Sequence, residues 1–167
     1  MNQLEKFNDI ETFIFDVDGV LTNSQIWVLE NGKLLQKMSI RDTFAIQQAI
    51  EKGYRIAIIS GGKSEGVKKR LIELGVTDFF MEQKDKKEAY ESYLEIYELD
   101  AEKVLYMGDE WPDYEVMRKV GLPACPADAA PELFKIALYV SAFNGGDGCV
   151  RDVIEKVMRL HGNWFEE

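Results

Sequence analysis

The chain is predicted to be an α/β protein with a doubly wound, mainly parallel sheet. Two features carry that prediction: four short apolar runs are each followed by a segment with helical spacing, and each run stops at acids, glycines or lysines. Strands that alternate with helices require right-handed crossovers, which cover a parallel sheet on both faces.

The first run is TFIF, starting at Thr12, and it ends in Asp16 and Asp18. Phe44, Ile46, Ala49 and Ile50 then mark a helix that stops at Gly53. The second run, YRIAIIS from Tyr54, leads into Ser60-Gly61-Gly62 and a helix with Val67, Leu71 and Leu74 on its core face, ended by Gly75. The third, VTDFFM from Val76, precedes Lys84, Lys86 and Lys87 and a helix lined by Tyr90, Tyr93, Leu94 and Tyr97. The fourth, KVLYMG from Lys103, ends at Gly108, Asp109, Glu110 and Asp113. A last helix carries Val150, Val153, Ile154 and Val157.

One span departs from this alternation. SQIWVLENGKLLQKMS holds Asn31-Gly32, a strong short hairpin signal, between apolar arms, and predicts a β-hairpin at about 24–40. Its first arm, Ile26 to Leu29, is apolar on both faces. A protruding hairpin can bury only one face on its own domain, so the other is expected to meet another subunit rather than remain an open edge. No repeat or low-complexity tract appears, and one domain over 1–167 is expected.

Composition narrows the function. With 167 residues, 46% hydrophobic and 30% charged, the chain is globular, and its net charge of −10 argues against non-specific nucleic-acid binding, which needs lysine and arginine stripes. No apolar run approaches a membrane span of about 18 residues, and MNQLEKFNDIE lacks the order of a secretory signal. A cytoplasmic location, with no membrane partner, is the expectation. Cys125 and Cys149 are too few for a disulfide framework and read as buried small hydrophobes.

Ligands of open α/β sheets bind beyond the carboxyl ends of the strands. Asp16, Asp18, Asp109 and Asp113 converge there, and such carboxylates repel one another unless they take up protons or share a cation. Oxygen ligands without histidine or cysteine select Mg²⁺. Ser60, Gly61 and Gly62, before a helix starting near Ser64, offer a hydroxyl and backbone N–H groups to a phosphate. Lys86 is preferred over Lys84 and Lys87 as the fixed positive charge, because Asp85 suits an N-cap and the first helical residue then points at the strand ends.

These parts make a phosphoryl-transfer centre. Asp16 can attack phosphorus, and Asp18 can protonate the leaving oxygen and then deprotonate water. A calcium loop is excluded: Val20 and Leu21 occupy positions that need an acid and a glycine. A phospho-receiver domain would need an acceptor aspartate ending a middle strand, and the third run ends without one.

DVDGVLT at 16–22, Ser60 with Gly61, Lys86, and GDEWPD at 108–113 resemble the four motifs of the haloacid dehalogenase superfamily of phosphatases. The resemblance implies Asp16 as nucleophile, Asp18 as acid/base and backbone metal ligand, Ser60 as phosphate ligand, Lys86 as charge clamp and Asp109 as metal ligand. Asp113 would support Lys86 or a metal-bound water. The hairpin, SGGKSEGVKKRLIELGV and NGGDGCVRDVIEKV are similar to the capless branch that hydrolyses 3-deoxy-manno-octulosonate 8-phosphate, a step towards lipopolysaccharide. That similarity implies a homotetramer with a neighbouring subunit closing each site.

Two positions depart from the branch. Glu110 stands where a second aspartate is usual, and Gly62 where relatives carry arginine or glutamate. Arg70 and Arg151 are candidates for a substrate carboxylate, since arginine suits planar bidentate recognition. A nine-carbon nonulosonate 9-phosphate is the alternative substrate, and a non-catalytic assembly subunit the alternative of another class.

Overall fold

The computed structural model describes residues 2–165. A short helix, α1 (Gln3–Asn8), opens the chain. It is held by a reciprocal cap in which the Asn2 side chain accepts from Leu4 N and Glu5 accepts from Asn2 N. There follow β1 (Thr12–Phe15), the hairpin strands β2 (Trp27–Val28) and β3 (Leu34–Leu35), α2 (Ile40–Glu51), β4 (Arg55–Ile59), α3 (Glu65–Glu73), β5 (Asp78–Phe80), α4 (Lys86–Tyr97), β6 (Val104–Met107), α5 (Tyr114–Met117), β7 (Leu122–Cys125), β8 (Tyr139–Val140) and α6 (Cys149–Leu160).

Six strands form one parallel sheet in the order β5-β4-β1-β6-β7-β8. β1 is central and buried at every residue, so its side chains divide between two cores. Phe13 and Phe15 join Ile58, Met107 and the apolar stripe of α6 on one face. Ile14 joins Ile59, Tyr106, Tyr90 and Tyr93 on the other. The four runs read from the sequence are thus the four adjacent strands β5, β4, β1 and β6, and their carboxyl ends lie side by side.

β7 and β8 escaped the sequence reading for a local reason. β7 is LPAC, and a proline inside a short run speaks against a paired strand. Pro123 is tolerated because β8 pairs only with Ala124 and Cys125, so no ladder bond is asked of its nitrogen. The core stripes hold with two exceptions: Phe44 and Tyr97 lie at the solvent edge of α2 and α4.

The hairpin forms around a loop at 30–32, closed by Leu29 N to Lys33 O at 2.9 Å with Gly32 alone at positive φ. A bridge between Thr22 and Met38 joins its base. The expectation that one face would be buried on its own domain is corrected here. Trp27 (76% exposed) faces Leu35 across the ladder, Val28 (66%) faces Leu34, and both pairs stand in solvent, so neither face is covered.

Candidate active site

Asp16 directly follows β1, and the next five residues form an irregular turn rather than a helix. Gly19 takes φ +86°, and a Cβ there would fall 1.8 Å from Asp109 Oδ2, so only glycine lets this loop lie on the end of β6. The glycine-rich tail segment packs just as closely from the other side. A Cβ on Gly145 would meet Gly19 O at 1.9 Å, and Gly146 N donates to Val20 O at 2.9 Å. Residues 144–148, distant in sequence, therefore clamp the loop that carries Asp16 and Asp18.

The centre of the site is an ion network. Lys86 opens α4, where Asp85 caps the helix by accepting from Lys87 N and Glu88 N. The buried Lys86 ammonium lies 2.9 Å from Asp16 Oδ2 and 2.8 Å from Asp113 Oδ1. Burial alone would lower its pKa, but the two carboxylates outweigh it and raise it. Asp113 is fully buried and accepts four hydrogen bonds: Lys86 Nζ and Tyr106 OH on Oδ1, and the backbone N–H groups of Asp109 and Glu110 on Oδ2. Its oxygens are used up. Asp113 is better suited to holding Lys86 and the β6 end than to ligating a metal through its own carboxylate.

Asp16 accepts from Val17 N at 2.7 Å and from Lys86, yet desolvation and the nearby Asp113 push its pKa well above the usual range, with Lys86 opposing. Asp109 is pushed up to about 7, first by burial and then by Asp113. Asp109 Oδ1 is buried without a hydrogen-bond partner, the one such side-chain atom among the described residues. Carboxylate oxygens of Asp16, Asp109 and Asp113 lie within 4.8 Å of one another. An orphaned buried oxygen within an all-carboxylate cluster fits a hard divalent cation such as Mg²⁺, which removes both the repulsion and the unmet bond.

Ser60 follows β4 and is fully buried. Its Oγ accepts from Gly62 N at 3.1 Å, which shapes the turn, while Gly61 and Gly62 face the cavity. Asp18 is exposed, and its carboxylate lies outside the three-acid cluster. As a metal ligand it retains only the backbone route that the resemblance implies. The cavity, about 1470 Å³, lies between the strand ends and the hairpin, with Asp16, Asp18, Lys86 and Asp109 in its floor and Ile26, Leu34, Leu35 and Gln36 in one wall. Lys33, Lys63 and Lys84 also line it, and none makes an ion pair among the described residues.

Arg70 is not brought to this cavity. It sits in the last turn of α3 with its guanidinium 3.5 Å from Glu73, and it is absent from the cavity lining. Arg151 is likewise engaged elsewhere, with Glu155 and over the Trp164 ring. Glu110 turns its carboxylate to Trp111 N and Asp113 N, so the longer side chain caps its own turn. His161 bonds Tyr54 and Asn8, away from the acids, and both cysteines are buried and free. Two residues that sequence reasoning missed are Tyr106 and Gln36. A tyrosine within the buried run KVLYMG is a usable signal, because its hydroxyl demands a partner. A glutamine on a hairpin arm gives none.

A haloacid dehalogenase-like hydrolase profile matches residues 76–153. The 3-deoxy-D-manno-octulosonate 8-phosphate phosphatase KdsC of Escherichia coli K12 is 37% identical over 163 residues, covering 98% of this chain and 87% of that protein. The crystal structure of the phosphatase of that name from Yersinia pestis superposes with a TM-score of 0.92 at 33% identity, covering 96% and 86% of the two chains. The Moraxella catarrhalis enzyme, crystallised with magnesium, phosphate and KDO, gives 0.92 at 28% identity, covering 96% and 92%. The chain belongs to the haloacid dehalogenase-like hydrolases, in the 3-deoxy-D-manno-octulosonate 8-phosphate phosphatase family, and is a phosphatase of phosphate monoesters.

Proposed function

We propose that the chain is a Mg²⁺-dependent phosphatase that converts 3-deoxy-D-manno-octulosonate 8-phosphate to the free sugar acid and phosphate, in lipopolysaccharide precursor synthesis. The observation that carries this reading is the buried Asp16, paired with Lys86 beside the partnerless Asp109 Oδ1. Relatives matching along nearly the whole chain supply the substrate class.

Asp16 is the nucleophile. It attacks phosphorus and forms an aspartyl phosphate, while Asp18 protonates the departing sugar oxygen. Water, deprotonated by Asp18, then attacks the phosphorus and frees Asp16. Ser60 Oγ and the Gly61 N–H hold the phosphoryl oxygens, and Lys86 neutralises charge as it builds. Asp16, Asp109 and the Asp18 backbone would hold Mg²⁺, which neutralises the repulsion between the nucleophile and the phosphate. Asp113 keeps Lys86 and the β6 end in place. Lys33, Lys63 and Lys84, which make no ion pair among the described residues, favour an acidic sugar at the cavity mouth.

Residues 1–167 act as one catalytic unit, and the hairpin at about 24–40 is the oligomerisation element. The exposed Trp27, Val28, Leu34 and Leu35 support packing against other copies in a homotetramer, which would also narrow the open cavity. A cytoplasmic location accords with free thiols and with the absence, among the described residues, of any helix able to cross a membrane.

The test is phosphate release from the octulosonate 8-phosphate and from a nonulosonate 9-phosphate at matched concentration, with Mg²⁺ and with chelator. The reading expects Mg²⁺-dependent turnover and a higher kcat/KM for the eight-carbon substrate. A higher value for the nine-carbon ester would reverse the substrate assignment, and turnover unaffected by chelator would remove the metal.

A further inference from the structure

One polar connection crosses the cavity mouth and has no part in the scheme above. Gln36 is the residue after β3, half-buried where the hairpin returns to the body of the protein. Its Nε2 donates to Asp18 Oδ1, and its Oε1 accepts from Ser64 Oγ. Ser64 precedes α3 and would ordinarily cap it, yet its hydroxyl makes no bond to that helix, and its backbone sits at φ 27°. Its bond goes to Gln36 instead. The hairpin, the nucleophile loop and the start of the phosphate-loop helix are thus joined through one amide.

The other Asp18 oxygen has a different neighbourhood. Oδ2 lies over Gly62: a Cβ built there would be 2.7 Å from it and 3.6 Å from Ser60 Oγ. One oxygen is tied to the hairpin and the other faces the phosphate loop, over a position with no side chain. An amide N–H only donates, so Oδ1 is committed as an acceptor and Oδ2 is left as the oxygen that can give a proton to the cavity. An exposed aspartate otherwise samples several rotamers, and holding the reactive one is an orientational gain realised before the chemistry starts.

We infer that Gln36 is a positioning residue that holds the Asp18 carboxylate with Oδ2 towards the phosphate loop, so that proton delivery to the leaving sugar oxygen depends on the hairpin. This rests on the reading of Asp18 as the acid. It also makes Gly62 functional, because a side chain there would compete for the space over which Oδ2 is held.

The leaving group separates this role from a structural one. A sugar alkoxide needs a proton to depart, whereas p-nitrophenolate leaves without one. kcat/KM, which reports the steps up to departure, would be measured for both esters with the assembled protein and Mg²⁺. Gln36→Met is expected to lower it for the sugar-acid phosphate at least tenfold more than for p-nitrophenyl phosphate. Gln36→Glu, which cannot donate to Asp18, should behave alike, and Gln36→Lys, which can, should recover most of the difference. Ser64→Ala, altering the same anchor from outside the hairpin, should give a smaller change of the same sign. Equal losses on both esters, or Gln36→Lys as poor as Gln36→Met, would overturn the inference while leaving the phosphatase reading intact. No phosphate release by the unmutated protein from either ester would remove that reading and this inference together. Light scattering on each variant identifies any loss that follows dissociation instead, which would also count against a positioning role.

Discussion

Around Lys86, the carboxylates of Asp16 and Asp113 and the Tyr106 hydroxyl close on one another within a single chain. On the hairpin, Trp27, Val28, Leu34 and Leu35 all stand more than half exposed. The first region meets almost every polar demand internally and leaves one, at Asp109 Oδ1. The second has two-residue strands that the chain itself does not cover. An isolated two-stranded ribbon is marginal in water, so its persistence depends on what it packs against. The strand-end platform thus satisfies its own polar groups but for one oxygen, whereas the hairpin leaves both of its cross-strand apolar pairs in solvent.

Removing the nucleophile should break the first region most severely. Asp16→Asn is expected to lower kcat by about 10⁵-fold or more, as loss of a covalent nucleophile does, with folding and assembly preserved. Turnover near that of the unmutated protein would exclude Asp16 as nucleophile. Next in size is Lys86→Met, with a loss of about 10²–10³-fold in kcat. It should also lower stability by about 3–5 kcal/mol at pH 8, because Asp16 and Asp113 lose their shared cation while buried. Denaturant titration checks this, and a smaller loss at pH 5 would show Asp16, whose pKa is raised by burial, taking up a proton instead.

The hairpin is broken face by face. Trp27→Glu with Leu35→Glu charges one cross-strand pair, and Val28→Glu with Leu34→Glu charges the other. At least one double variant should fall from a tetramer to a smaller species by light scattering while keeping its circular dichroism. If the unmutated protein is a stable monomer, the oligomer assignment fails.

The smallest effect sharpens the metal requirement. The folded pKa of Asp109, about 7, lies above its ordinary 3.8, so its contribution to stability is fully present below about pH 4 and is lost as pH rises through about 7. Metal-free protein should therefore lose thermal stability between pH 5 and 8. Mg²⁺ competes with that proton, so its stabilising effect should be greater at pH 8 than at pH 6. At about 100 times its dissociation constant it adds about 2.7 kcal/mol, or a rise in Tm of roughly 5–10 °C. A gain in Tm that does not change with pH would disconnect Asp109 from the metal.

Asp16, Ser60, Lys86 and Asp109 could be read from the sequence because each follows an apolar run that can only be a buried strand, and parallel strands bring their ends to one edge. Arg70 differs because its position depends on contacts within the helix: it pairs with Glu73, three residues on, and does not line the cavity of its own chain. β7 was hidden by its proline, and Gln36 by having no local partner in the chain.

The order of strands and acids along the chain determined the fold class and the phosphoryl-transfer chemistry, since hydrophobic periodicity and the repulsion of clustered carboxylates are properties of residue type and spacing. Only the tertiary structure decided that Asp113 is saturated by four donors, that Asp109 keeps a bare oxygen and that Gln36 reaches Asp18. Those outcomes depend on distances of a few ångströms between elements far apart in sequence, and such distances are set by how the two cores pack.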